Sequence, residues 1–135
     1  MGGHSSGLFP GTIGDLSFEL YDEVRHIGAS ELKGTLPIRN VVTDSIRTGS
    51  ANKIDPEHAF PDVVDNYAGY AHMFSLVGGD GVERLLLQLA GSLNGAVGIF
   101  EWIVDPNPER GVTHRRFIAG GKITGNPNQR RGGTR

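Results

Sequence analysis

The chain of 135 residues contains no cysteine. That absence removes disulfide frameworks, Cys-ligated zinc, iron–sulfur clusters and thiol nucleophiles together. No apolar run approaches the roughly 18 residues of a membrane-spanning helix. No basic stretch followed by an apolar one marks a signal peptide, so an export signal, where there is export, is expected on chain outside this sequence. No Walker loop, dinucleotide fingerprint or H-E-x-x-H occurs, which argues against the common nucleotidase, dehydrogenase and zinc-protease classes. Hydrophobic residues make up only 37%, whereas glycine, at 21 residues, is abundant. The profile is that of one small, loop-rich domain and not of a helical bundle.

Net charge is −2, and that near-zero total conceals an asymmetry. Residues 1–109 carry 6 Lys+Arg against 15 Asp+Glu, whereas residues 110–135 carry 7 Lys+Arg and no acid. An acidic body with a basic C-terminal end points to an anionic partner at that end.

Residues 1–14 are rich in glycine and serine and read as a flexible leader. Asp15 stands at an N-cap position, Leu16, Phe18, Leu20, Val24 and Ile27 recur near helical spacing, and Gly28 offers a stop, which predicts a helix over 15–28. Residues 34–51 predict a second short helix, weakened by β-branched residues, with Ile38, Val41, Val42, Ser45 and Ile46 on one face. Residues 52–62 read as a loop, and 63–70 as a short helix or turn.

Four apolar runs follow, at 72–77, 83–90, 96–104 and 111–118. Turn-forming clusters of glycine, asparagine, aspartate and proline separate them, the pattern of an antiparallel meander. The expected fold is α+β, with one or two N-terminal helices packed on a C-terminal antiparallel sheet of about four strands. Residues 15–128 form the single domain in this reading, and 129–135 form a basic tail.

The local chemistry concentrates in Val112-Thr113-His114-Arg115-Arg116-Phe117-Ile118. On a strand, His114 and Arg116 share one face with Val112 and Ile118, and Thr113, Arg115 and Phe117 share the other. An imidazole beside a guanidinium suits phosphodiester cleavage: the imidazole moves a proton and the guanidinium holds the phosphate. The plain alternative is a surface strand with solvated charges. Glu101, on the preceding strand, shares a face with Val97, Ile99 and Ile103, so it lies at an edge or has a basic partner. Opposite His114 or Arg116 it would complete an acid–base–clamp set. Trp102 reads as core.

A second set, Arg39, Thr43 and Arg47, falls on one helical face that could grip a phosphate, or be an ordinary charged surface. A third, Asp55 to Asn66, places His58 among Asp55, Glu57, Asp62 and Asp65. Oxygen ligands and a histidine suit a divalent cation, but a proline-pinned loop capped by aspartate explains the same residues.

LPIRNVVTDSIRTGSA, HAFPDVVDNYA, GSLNGAVGIFEWIVD and VTHRRFIAGGKITGNPNQ together resemble the C-terminal toxin domains of bacterial polymorphic toxin and contact-dependent growth inhibition systems, over about residues 8 to 128. Toxin tips of this size and element order are similar to the barnase–EndoU–colicin–RelE group of ribonucleases. The resemblance implies a secreted or surface-delivered, metal-independent ribonuclease without cofactor, acting on RNA, often tRNA, in the target cell's cytoplasm. It also implies a carrier protein N-terminal to this domain and a cognate immunity protein. Local chemistry joined to that analogy assigns His114 as general base or acid and Glu101 as second proton carrier. Arg116 and Arg39 become phosphate clamps, Thr43 or Thr113 a hydrogen-bond donor, and Arg47 and Arg115 further substrate contacts. Two other readings remain open: a metal-dependent DNase built on His58 and its neighbouring acids, and a non-catalytic binding or immunity module, which the acidic body favours and the Thr-His-Arg-Arg cluster opposes.

Overall fold

The computed structural model describes residues 7–13, 16–21, 31–32 and 38–128, with side chains at 18–20 and 41–128. Strands β1 (Gly7–Ile13), β2 (Leu16–Tyr21) and β3 (Glu31–Leu32) precede a short helix α1 (Ile38–Thr43). Two 3-10 helices, Gly49–Asn52 and Asp62–Tyr70, lead into β4 (His72–Val77), β5 (Glu83–Leu93), β6 (Ala96–Val104) and β7 (Val112–Ala119). The architecture is α+β, and β4 to β7 form the antiparallel meander that the turn chemistry predicts. No described helix is long and apolar enough to cross a membrane.

The long strand β5 organises the sheet. One of its edges pairs with β6 along almost its full length, and β7 closes that side. Its other edge is divided: residues 83–88 pair with β4, and residues 91–93 pair with β2. Gly91 makes the second pairing possible, because a Cβ there would lie 2.1 Å from the Glu19 carbonyl oxygen. The β5–β6 turn is Asn94-Gly95, both with positive φ (51° and 84°), the backbone that a two-residue hairpin requires.

Two expectations at the N-terminus are corrected. Gly7–Ile13, read as leader, form β1, and Leu16–Tyr21, read as helix, form β2, the two pairing as a hairpin. Leu16, Phe18 and Leu20 satisfy a period of two as well as an approximate helical one. Phe18 and Leu20 are buried while Glu19 between them is exposed, and Val24 and Ile27 had suggested the longer period. Residues 22–28, Asp15 and residues 1–6 lie outside the described residues. The second helix is shorter than expected: it ends at Thr43, the Ser45 hydroxyl turns back to the Val41 carbonyl, and Ile46 is exposed.

One face of the sheet carries the main core. Leu87, Leu89, Phe100, Trp102, Val104, Val112 and Phe117 pack there against Val42 of α1 and against Phe60, Val64 and Ala68. Trp102 is fully buried in it, as expected. The opposite face has a smaller apolar cluster, Phe74, Leu86 and Ile103 with Leu76 and Ile123.

Candidate active site

A polar row crosses that second face. The register places His72 beside Gln88, Gln88 beside Glu101 and Glu101 beside Arg116, one residue from each strand of the meander. Gln88 and Glu101 are fully buried. Glu101 Oε2 accepts from Gln88 Nε2 at 2.8 Å, and Oε1 accepts from the Asn128 amide at 3.0 Å. The same Oε1 lies 2.9 Å from His114 Nε2. A carboxylate only accepts, so it orients the imidazole with its proton on Nε2. Nδ1, the lone-pair nitrogen whenever the ring is neutral, has no hydrogen-bond partner among the described residues and is not sealed from solvent.

Of the two positions open to Glu101, a sheet edge or a place opposite His114 or Arg116, it takes the second. The sequence reading missed the second histidine's position. The loop after the Gly49–Asn52 helix lies along the free edge of β7, where the Phe117 amide donates to the Glu57 carbonyl at 2.7 Å and Arg115 Nη1 donates to the His58 carbonyl at 3.1 Å. This brings the His58 imidazole edge-on to that of His114, with ring centroids 6.5 Å apart. His58 Nδ1 lies 2.8 Å and 2.9 Å from the two Asp55 oxygens. The hydrogen bond from His58 holds the Asp55 carboxyl below its ordinary range. His58 Nε2 has no partner among the described residues, and the side chain is 13% exposed. Each imidazole is thus tied by one nitrogen to a carboxylate and offers the other.

Arg116 completes the cluster. One Nη lies 3.4 Å from Glu57 Oε1, and its Nε is buried with no hydrogen-bond partner, a donor that an anionic oxygen would satisfy. The signal that could have found this grouping was Asp55-Pro56-Glu57-His58, a turn that folds the His58 ring back onto Asp55. Gln88, a single amide within an apolar run, was not singled out.

Other expected site residues go elsewhere. Arg115 is fully buried on the main-core face, with Nε 3.0 Å from Asp65 Oδ1, one Nη donating to the Pro61 carbonyl at 3.1 Å, and Cζ 3.6 Å from the centroid of Phe60. Its guanidinium is bonded within the fold and does not share the His114 face. Burial pulls its guanidinium below its ordinary pKa, against the attraction of Asp65. Asp65 also accepts from Trp102 Nε1 at 2.8 Å and from Arg47 at 2.7 Å. Arg47 and Thr43 therefore belong to the face opposite His114, around a shallow depression shared with Asp62 and Asn66. α1 ends before Arg47, so the expected common helical face does not form. The side chain of Arg39 and the arginines of 129–135 lie outside the described residues.

A bulge corrects the strand parity. Ile103 pairs with His114 and Val104 with Val112, which leaves Thr113 as the extra residue, its carbonyl accepting from Ser50 Oγ. Val112 therefore faces the main core and not the His114 side. The acids of 55–66 do not converge: Asp55 turns to His58, Glu57 to Arg116, and Asp62 and Asp65 to Arg47 and Arg115. Among the described residues no three His, Asp or Glu side chains come together as a metal site. No family model matches the chain, and no curated protein or solved structure does either.

Proposed function

We propose that this chain is a ribonuclease domain that cleaves RNA through its 2′-hydroxyl, with His58 and His114 as the proton-carrying pair. The observation that carries the reading is their arrangement: two imidazoles 6.5 Å apart, each backed by its own carboxylate and each with one unbound nitrogen, beside an arginine with an unmade hydrogen bond. Transesterification needs these parts. One neutral imidazole takes the proton of the 2′-hydroxyl as O2′ attacks phosphorus. The other, protonated, gives its proton to the departing 5′-oxygen, leaving a 2′,3′-cyclic phosphate. Arg116 holds the non-bridging oxygens and stabilises the charge that builds on them.

Glu101 changes role in this scheme. It is fully buried with both oxygens occupied, so it orients His114, and the second proton carrier is His58. Of the two adjacent arginines only Arg116 reaches the surface, with 21% of its side chain exposed. The scheme agrees with a toxin domain delivered by a secreting bacterium and neutralised by a cognate immunity protein. Carboxylates of such a partner would complement Arg116.

The test is incubation of the purified chain with total tRNA in excess EDTA. Cleavage with 2′,3′-cyclic phosphate ends is expected; cleavage only on adding a divalent metal, or of DNA in preference to RNA, would overturn the reading. Expression without an immunity protein should arrest a susceptible host, and a chain that leaves growth unaffected would speak for a binding module.

A further inference from the structure

Gln88 touches neither imidazole, yet the site is tied through it to the last described segment of the chain. It lies in the middle of β5, fully buried, between His72 of β4 and Glu101 of β6. A glutamine amide can make four hydrogen bonds, and Gln88 makes four. Its Nε2 donates to Glu101 Oε2 at 2.8 Å and to the Asn126 carbonyl at 3.1 Å. Its Oε1 accepts from the amides of Thr124 and Gly125, both at 3.0 Å. The same segment then places the Asn128 amide on Glu101 Oε1, the oxygen that also holds His114. Gln88 and the backbone of residues 124–128 thus clamp Glu101 from both of its oxygens.

We propose that Gln88 is a positioning residue that couples the segment Thr124–Asn128 to Glu101 and so fixes the tautomer in which His114 presents Nδ1. The catalytic consequence rests on the ribonuclease reading above; the coupling itself does not. Released from Gln88 and from the Asn128 amide, the Glu101 carboxylate could rotate, and the hydrogen bond that selects the His114 tautomer would be shared among orientations.

The experiment is long-range ¹H–¹⁵N spectroscopy of the imidazoles in the full chain, with amide exchange at Asn128 measured beside it. Two variants attack the clamp from different sides. Gln88→Met removes its four hydrogen bonds at similar volume. Gly125→Ala forces a side chain onto a position with φ +84° and a Cβ site 3.0 Å from the Phe74 ring, disturbing the segment while leaving Gln88 and Glu101 in place.

In the unaltered chain the proton should reside on Nε2 of neutral His114 by about tenfold or more, the ratio a hydrogen bond to a charged acceptor supports. Both variants should bring the tautomers toward parity and quicken Asn128 exchange by about tenfold or more. RNA cleavage should lose kcat with KM little changed. A His114 tautomer that persists in both folded variants while Asn128 exchange quickens would overturn the proposal. Spectra that behave as stated in a chain that cleaves no RNA would sink the ribonuclease reading and leave the coupling standing.

Discussion

The imidazoles of His58 and His114 meet edge-on with their ring centroids 6.5 Å apart, one carried by a loop and the other by the edge strand that the loop covers. Asp55 holds the first by Nδ1 and Glu101 the second by Nε2. Under the proposed ribonuclease reading the two imidazoles would act in one step, and the first expectation concerns their removal. His58→Ala and His114→Ala should each slow RNA cleavage by roughly 10²–10⁴-fold, the usual contribution of a positioned acid or base. The double variant should lose less than the product of the two, because groups acting as a unit are not additive. Single-turnover cleavage assays on folded variants measure this; full activity in either single variant removes that histidine from the mechanism.

Arg115 carries a different expectation. Its charge is buried against Asp65 and lies over Phe60, and its N–H groups hold the carbonyls of His58 and Pro61. Arg115→Ala should destabilise the fold by about 3–5 kcal/mol, the cost of leaving the partner charge of a buried pair uncompensated. Arg115→Lys should recover little, since an ammonium cannot reproduce the planar fork. Urea unfolding checks both. A loss of activity without a loss of stability would return Arg115 to the list of substrate contacts.

Gly111 controls how the loop meets β7. It has φ +60°, and a Cβ would lie 2.3 Å from the Ile46 carbonyl oxygen, the acceptor for the Val112 amide. Gly111→Ala should cost about 1–3 kcal/mol from overpacking, and the left-handed backbone adds to that. Amide exchange at Val112 and Thr48, which bond across this contact, should quicken before exchange in β5 does.

Asp80 sets a limit at low pH. Its hydrogen bond with Arg84, which also binds Asp105, lowers its pKa from 3.8 to about 2. A carboxyl with a depressed folded-state pKa contributes stability above its unfolded value and loses it as pH falls through the folded one. Stability should therefore decline between about pH 4 and pH 2. In Asp80→Asn the dependence over that window should be shallower, because the variant is the less stable chain near pH 7 and the two converge toward pH 2; the exposure of the site keeps the difference small. Chemical denaturation at several pH values reads the slope.

Much of the meander was legible before any coordinates. Asn94-Gly95, Asp105-Pro106-Asn107-Pro108 and Gly78-Gly79-Asp80-Gly81 are turn sequences, and although the run at 83–90 fits a helix on periodicity alone, its place between such turns favours a strand. From that, Glu101 opposite His114 or Arg116 was one open possibility, and the register makes it so by pairing Glu101 with Arg116 and Ile103 with His114. Less was legible at the N-terminus. Leu16, Phe18 and Leu20 fit two periods, and the choice between them is made by the open edge of β5 beyond β4, where Gly91 admits the Glu19 backbone. The bulge at Thr113 was also hidden, since one extra residue inverts the parity of everything before it without altering composition.

The sequence by itself determined local things: which segments alternate, where the chain turns, and that a histidine and an arginine would share a strand face. Tertiary structure decided the site. Arg115, next in sequence to Arg116, is consumed on the opposite face by Asp65. His58, distant in sequence from His114, is delivered to it by the bonds from Phe117 to the Glu57 carbonyl and from Arg115 to the His58 carbonyl. Those contacts join segments with no common period, and a backbone amide or carbonyl looks the same in every residue. Their pairing becomes visible only once the sheet exists for the loop to lie against.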